Sequence, residues 1–253
     1  MTLQMPRDPA ALYGEWLRWL PSWRGAFAFD ALRGTPFHLG ASGPLDVYYG
    51  PFDYVSPAAR LALVGITPGR RETALAYRVA REALGQGLEG SEIARQVKTT
   101  ASFGGPTRPH LVAMLDGIGV QAALGLATTA LLFMPRHAHL LHATAAVRYP
   151  VQRGGQDYAG TAPRLARHPG LLRFVDTYLA PELALLDRAL VVPLGTSVEE
   201  VLRLLVARGA LDPCRCLFGF PHPSGRNVAR AAQFAARQPA LRRLVAAWHS
   251  AYT

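Results

Sequence analysis

The stretch LALVGITPG at residues 61–69 decides the fold. Its first five residues are continuously apolar, which is typical of a parallel strand buried on both faces. The strand passes into the turn ITPG, and a helical pattern begins near Arg70. Glycines at both ends of the turn permit a tight bend and let a ligand come close to the backbone. The stretch therefore predicts a strand, a turn, and a helix whose free amides face the turn. Such turns are common in α/β proteins, so this one alone indicates no function.

Strands and helices alternate along the rest of the chain. Further strands are predicted at 140–147, 189–193 and 214–218, and helices at 9–20, 70–98 with a break at 85–90, 110–124, 171–188, 196–208 and 228–247. Residues 34–58, 99–109 and 148–163 are predicted to be irregular, apart from an extended piece at 47–49. This alternation predicts a mostly parallel sheet covered on both faces, with ligands beyond the carboxyl ends of its strands.

Composition excludes several classes of protein. The chain has 253 residues, half of them hydrophobic, with a formal charge of +10. It is too hydrophobic for a disordered chain. It has neither an apolar run of about 20 residues nor a secretory signal pattern. Its two cysteines, Cys214 and Cys216, are too close for an unstrained disulfide, so we expect a reducing cytoplasm. Lys98 is the only lysine, and such an excess of arginine is typical of a GC-rich genome. The net positive charge nevertheless favours polyanionic partners.

The loop GFPHPSGRN at residues 219–227 follows the last predicted strand. Two prolines flank His222 and hold its backbone extended. A histidine fixed in this way can donate a hydrogen bond to a developing negative charge. Ser224 and Gly225 offer a hydroxyl and backbone amides suited to a phosphate. The alternative is a Ser- or Asn-capped helix start that happens to contain a histidine.

Together the two turns resemble the motifs of the uracil-DNA glycosylase superfamily. The first motif there has the form GQDPYH, GxNPG or GEAPG, and the second HPSP, NPSG or HPA. HPSGRN is most similar to the single-strand-selective branch (HPSPRN), with the glycine of the mismatch-specific branch. SFG at 102–104 resembles the segment whose aromatic ring stacks on the flipped base. The resemblance covers about residues 45–245.

The resemblance implies an α/β fold of three layers, α/β/α, around a four-stranded parallel sheet. We expect residues 45–253 to form this glycosylase-like domain. Residues 1–44 are expected to form a helical and irregular extension packed on it.

The implied activity is that of a monofunctional DNA glycosylase, which flips a uracil or related damaged base and hydrolyses its N-glycosidic bond. His222 would stabilise the departing base anion, and Thr67 occupies the position of the water-activating residue. Phe103 would stack on the base. The other residues expected to contact the base are Gly65, Ile66 and Thr144, and those expected to contact DNA are Gly69, Arg70, Pro223, Ser224, Gly225, Arg226, as the wedge that fills the vacated stack, and Asn227.

The first motif departs from the family where chemistry is required. Relatives carry Asp or Asn in place of Thr67, or Glu in place of Ile66. A threonine hydroxyl can orient a water but cannot take its proton near neutral pH. Asp53 and Asp157 are candidate carboxylates, although both are more often turn residues, because Asp favours such loops. Two alternatives stay open: a glycosylase fold that binds DNA or nucleobases without turnover, and an enzyme that acts on a free nucleoside or another anion.

The strand at 140–147 lacks the asparagine with which many relatives read uracil. Thr144 or His142 could replace it, although a histidine on an apolar strand is more often a satisfied core residue. The histidines at 137, 139 and 142 have no carboxylate or cysteine beside them, so no metal is expected. We expect no cofactor, no membrane and a monomer, with single- or double-stranded DNA as the partner.

Overall fold

The computed structural model describes residue 3 and residues 7–23, 25–105 and 107–252. The chain forms two compact units, each assembled from three separate stretches. Unit 1 contains the described residues up to Tyr54, Ile66–Ser102 and Ala145–Leu179. Unit 2 contains Val55–Gly65, Phe103–Thr144 and the described residues from Ala180 onward.

Nine α-helices are present in the described part of the chain. They are α1 (Pro9–Trp19), α2 (Arg70–Gly85), α3 (Gly90–Ala101), α4 (Thr107–Gly117), α5 (Val120–Ala123), α6 (Pro169–Phe174), α7 (Ala180–Leu185), α8 (Thr196–Ala207) and α9 (Arg230–Tyr252). The predicted break between α2 and α3 is confirmed. Two long predicted helices are divided: Gly119, at a φ of 88°, separates α4 from α5, and a π-helical turn at Val175–Leu179 separates α6 from α7.

Unit 2 is built around a three-stranded sheet. Its strands are β3 (Leu61–Gly65), β4 (Leu141–Ala145) and β7 (Leu190–Pro193), in the order β4-β3-β7. β3 and β7 run parallel, and every residue of both is buried. This burial explains the continuous apolar runs in the sequence. Helices α4, α8 and α9 supply further core residues, among them Leu115, Leu202 and Trp248.

The prediction of a fourth strand at 214–218 is wrong. Pro213–Arg215 forms a 3₁₀ turn that Asp212 caps. Cys216 makes only an isolated parallel bridge to Val191. Because proline cannot donate to a ladder and the aspartate stabilises the turn, the chain runs beside β7 without becoming a strand.

Unit 1 contains an antiparallel sheet where the sequence predicted irregular chain. Its strands are β1 (His38–Ser42), β2 (Leu45–Tyr48), β5 (Val151–Arg153) and β6 (Gln156–Asp157), in the order β1-β2-β5-β6. Val47 lies opposite Val151, both fully buried. The irregular assignments of 34–58 and 148–163 are therefore wrong at these four strands, while the extended piece predicted at 47–49 overlaps β2. Each hairpin turns at glycine with positive φ, which this geometry requires.

The core of unit 1 is aromatic. Helix α1 begins at Pro9 under a cap from Asp8, whose carboxylate accepts from the Ala11 amide at 2.8 Å. The helix buries Trp16 completely, with ring centroids 5.7 Å from Tyr49 and 5.2 Å from Tyr77. Such tilted and edge-on pairs stabilise beyond the area they bury, by about 0.5–1.5 kcal/mol each.

Candidate functional site

The hydroxyl of Thr67 holds the first motif in place. Within unit 1 it donates to the carbonyl of Tyr149 at 2.8 Å and accepts from the amide of Val151 at 3.0 Å. Ile66 is attached to the same segment, since its carbonyl accepts from the Val147 amide at 3.0 Å. The single hydrogen of Thr67 is therefore used, and the oxygen can only accept from a further partner.

Asp157 occupies the amide end of helix α2. Its carboxylate accepts from the Arg70 amide at 2.9 Å and from the Gln152 side chain at 2.7 Å. A Cβ at Gly69 would lie 2.9 Å from its other oxygen, so glycine is needed there. The Arg70 guanidinium donates to the Gly155 carbonyl at 2.9 Å. Thus Asp157 caps the helix, as expected for a turn residue, and two residues predicted to contact DNA bind the protein itself.

Asp53, the second candidate carboxylate, lies inside unit 1. The hydroxyls of Tyr49 and Tyr149 donate to it at 2.6 and 2.7 Å, and Arg148 lies 3.4 Å away. Burial raises the pKa of the Asp53 carboxyl, and Arg148 opposes that rise. Because its oxygens already bind three partners, Asp53 organises the core around Tyr149, the residue that also holds Thr67.

Three predicted base contacts lie together in unit 2. A Cβ built at Gly65 would lie 3.2 Å from Cε1 of Phe103 and 3.7 Å from the carbonyl of Thr144. The ring of Phe103 thus lies against the end of β3, and a larger residue than glycine would require the ring to shift by a few tenths of an ångström. Phe103 has a φ of 50°, unique among the non-glycine residues that the structure describes. Arg108 donates to its carbonyl at 3.4 Å. Such strain is typical of functional positions.

A buried acidic residue that the sequence analysis missed lies beside Thr144. The Thr144 hydroxyl donates to Glu182 at 2.7 Å, and Nε2 of His142 lies 3.5 Å from the same oxygen. Glu182 is 2% exposed and His142 is fully buried. His142 is therefore a core residue. No spacing signal announces the cluster, because Glu182 lies 38 residues beyond Thr144 in an ordinary helical pattern.

The second motif presents His222 as a neutral hydrogen-bond donor. The Ser224 amide donates to Nδ1 of His222 at 3.1 Å, so Nε2 carries the proton. Burial lowers the pKa of the imidazole, which keeps it uncharged at neutral pH. The ring packs on Gly195, whose φ is 93° and whose Cβ would lie 3.0 Å from that of His222.

The rest of the second motif is held by its own hydrogen bonds. The Asn227 side chain donates to the His222 carbonyl at 3.2 Å, and the Ser224 hydroxyl accepts from the Arg226 amide at 3.1 Å. His110 binds the carbonyl of Pro223 at 3.2 Å. Gly225 and Arg226 are exposed at the tip. The loop is thus prebuilt around the imidazole.

The two predicted catalytic residues belong to different units, Thr67 to unit 1 and His222 to unit 2. The expectation that both lie at one ligand site beyond the carboxyl ends of the strands stays a prediction. Within the described residues, no group of three His, Cys, Asp or Glu side chains could hold a metal, and no helix is long and apolar enough to cross a membrane.

Comparison with known proteins identifies the family. A model described as "Uracil DNA glycosylase superfamily" matches residues 52–245. The chain belongs to this superfamily. "Uncharacterized protein YoxB" of Bacillus subtilis (strain 168) is 34% identical over 235 residues, which cover 92% of this chain and 90% of that protein. No solved structure matches the chain. The superfamily has a three-layer α/β/α fold, and the parallel strands and helices described above are those of a mixed α/β protein.

Proposed function

We propose that this protein is a monofunctional DNA glycosylase. It binds single- or double-stranded DNA, flips a uracil or related damaged base, and hydrolyses the N-glycosidic bond. The observation that carries the proposal is the state of His222: a half-buried, neutral imidazole whose only proton is on Nε2. Bond cleavage leaves negative charge on the base. A fixed donor aimed at that charge stabilises the transition state more than the ground state.

Phe103 supports the proposal as the stacking residue. Flipping a base costs a few kcal/mol. Stacking on an aromatic ring returns about 1–3 kcal/mol. The strained backbone of Phe103 sets its half-buried ring against Gly65 and beside the backbone of Thr144. Gly65 and Thr144, with Ile66, complete the proposed base pocket. Thr144 gives its hydrogen to Glu182, so towards a base its hydroxyl acts as an acceptor.

The first motif can orient the attacking water, but it supplies no general base to take the proton of that water. Thr67 has no proton to donate, and its hydroxyl cannot take one from water at neutral pH. The reaction therefore proceeds with the base largely departed before water attacks, and His222 supplies the main stabilisation. Proposed DNA contacts are the loop residues Pro223, Ser224, Gly225 and Asn227, with Arg226 as the wedge. Residues 45–253 form the proposed catalytic domain and residues 1–44 its extension.

The test is direct. End-labelled oligonucleotides carrying one uracil, hypoxanthine or xanthine, single-stranded and duplex, are incubated with the full chain and cleaved at abasic sites with alkali. We expect product, and a loss of about 10²–10³ in single-turnover rate for His222→Ala, as for other preorganised donors. No product from any substrate, or an undiminished rate in His222→Ala, would refute the proposal.

A second candidate is favoured by the engaged hydroxyl of Thr67: a glycosylase fold that binds DNA or nucleobases without cutting. It predicts salt-dependent DNA affinity with no product from the wild-type chain. Uracil release by the wild type that His222→Ala abolishes would exclude it.

A further inference from the structure

A cavity of about 470 Å³ is lined only by residues of unit 1. One wall is the exposed face of helix α2, and the other is formed by Trp23 and residues 25–27. Its charged lining residues are all arginines: Arg71, Arg78 and Arg81. Three aromatic residues, Trp23, Phe27 and Tyr77, line it together with small and aliphatic side chains.

The three arginines line one side of α2. Arg71, Arg78 and Arg81 are spaced by seven and three residues, which places them on one helix face. All three are exposed, and in the described part of the chain their guanidinium groups have no hydrogen-bond or ion-pair partner. Glu82, one turn after Arg78, makes no ion pair with it. At 1.5 Å per residue the row spans about 15 Å, more than one phosphate group occupies.

The aromatic wall is rigid and apolar. The ring of Phe27 stacks on Trp23 with centroids 6.0 Å apart and an interplanar angle of 28°. It also lies 4.7 Å from the ring of Tyr77. The hydroxyl of Tyr77 donates to the Tyr49 carbonyl, so its polar end points into the unit. Phe27 is half-buried, which leaves part of its ring free for contact.

We propose that this cavity binds a single strand of DNA. An unpaired base stacks on Phe27, and successive phosphates bind Arg71, Arg78 and Arg81. A row of unpaired guanidiniums beside an aromatic face is the combination that binds single strands without regard to sequence. A duplex keeps its bases stacked inside and offers none to the wall. The site goes beyond the proposed function, since it requires neither a damaged base nor bond cleavage.

The experiment uses the full chain and a labelled twelve-nucleotide oligothymidylate without uracil, followed by fluorescence anisotropy. The double variant Arg78→Gln/Arg81→Gln is compared with Arg136→Gln/Arg243→Gln, which removes the same charge from exposed arginines elsewhere. At 0.1 M salt each lost phosphate contact removes a factor of about 5, so we expect about 25-fold weaker binding for the first pair and a salt slope smaller by about 1.4. The control pair should change little.

Phe27→Leu tests the stacking half of the site. It keeps an apolar side chain, and about 5-fold or greater loss of affinity is expected with the thermal midpoint checked in parallel. Single-turnover uracil release from a duplex at saturating enzyme should keep its wild-type rate in Arg78→Gln/Arg81→Gln, which separates this site from the proposed catalytic one. Equal losses in the two arginine pairs, undiminished binding by a folded Phe27→Leu, or equal affinity for thymidine monophosphate and the oligomer would overturn the proposal.

Discussion

Replacing Thr67 with valine tests whether this hydroxyl is structural. Valine has nearly the same shape, so the substitution removes the donor to Tyr149 and the acceptor for Val151 without leaving a hole. Thr67→Ser keeps the hydroxyl and loses one methyl group. The two variants therefore separate the hydrogen bonds from the packing.

The loss of unfolding free energy in Thr67→Val follows from the two backbone groups that lose their hydrogen-bond partner. Tyr149 and Val151 are both fully buried, so one carbonyl and one amide would lack partners. Each such loss costs about 1–3 kcal/mol. Thr67 itself is half-buried, and water reaching it reduces the sum to about 2–4 kcal/mol. For a chain of this length that lowers the thermal midpoint by about 4–16 °C. The serine variant should lose about 0.8 kcal/mol at most.

Urea unfolding followed by far-UV circular dichroism gives the free energies, and uracil release is measured on the same preparations. We expect the serine variant to resemble the wild type in both assays and the valine variant to be less stable. A valine variant as stable as the wild type would refute the structural role. If that stable variant also failed to release uracil, the hydroxyl would belong to the chemistry instead.

Three further outcomes are expected. Gly195→Ala should lose about 1–3 kcal/mol of unfolding free energy and slow base release, because its positive φ strains alanine and its Cβ meets His222. Gly209→Ala, which also lies at positive φ but faces open space, should keep full activity. The unfolding free energy of Thr144→Val should be about 1–3 kcal/mol lower than that of Thr144→Ser, because Glu182 loses a hydrogen-bond donor inside the core. Equal unfolding free energies would contradict this. An NMR titration should place the pKa of His222 below 6.5, because burial lowers it. The folded state then binds fewer protons than the unfolded state, so this group's contribution to stability is lost as pH falls below 6.5. A measured pKa above 6.5 would reverse the direction of this pH dependence.

The parts of the fold that the sequence predicted are those with strong local signals. The run at 61–65 is typical of a strand covered on both faces, and Gly69 followed by an amphipathic pattern is typical of a helix start. Helix α8 was found for the same reason, because its hydrophobic periodicity is carried by the segment itself and needs no knowledge of its partners.

The two hairpins were missed because their strands are short and depend on one another. β6 has only two residues, both exposed, and carries no hydrophobic pattern of its own. The signal that could have found it is the Gly154-Gly155 pair, a dipeptide suited to a two-residue turn. The strand at 214–218 was overpredicted for the opposite reason: its apolar residues are buried, but Pro213 and the Asp212 cap favour a turn.

The resemblance to family motifs singled out His222 and Phe103, and their roles stay predictions. The sequence did not indicate the partners of the candidate site residues. It could not show that Asp157 caps helix α2 or that Glu182 binds Thr144, because both pairs join distant segments of chain. Such contacts depend on side-chain positions that only the folded backbone defines.

Asp157 has a consequence for how an anion meets the first motif. Helix starts beside glycine-rich turns usually offer bare amides to phosphate, but here the chain has placed its own carboxylate on the Arg70 amide. An approaching phosphodiester would meet like charge and would have to displace a bond already made. The helix start is therefore already occupied by a carboxylate, and we expect the attraction for a charged strand to come from arginines elsewhere on the molecule.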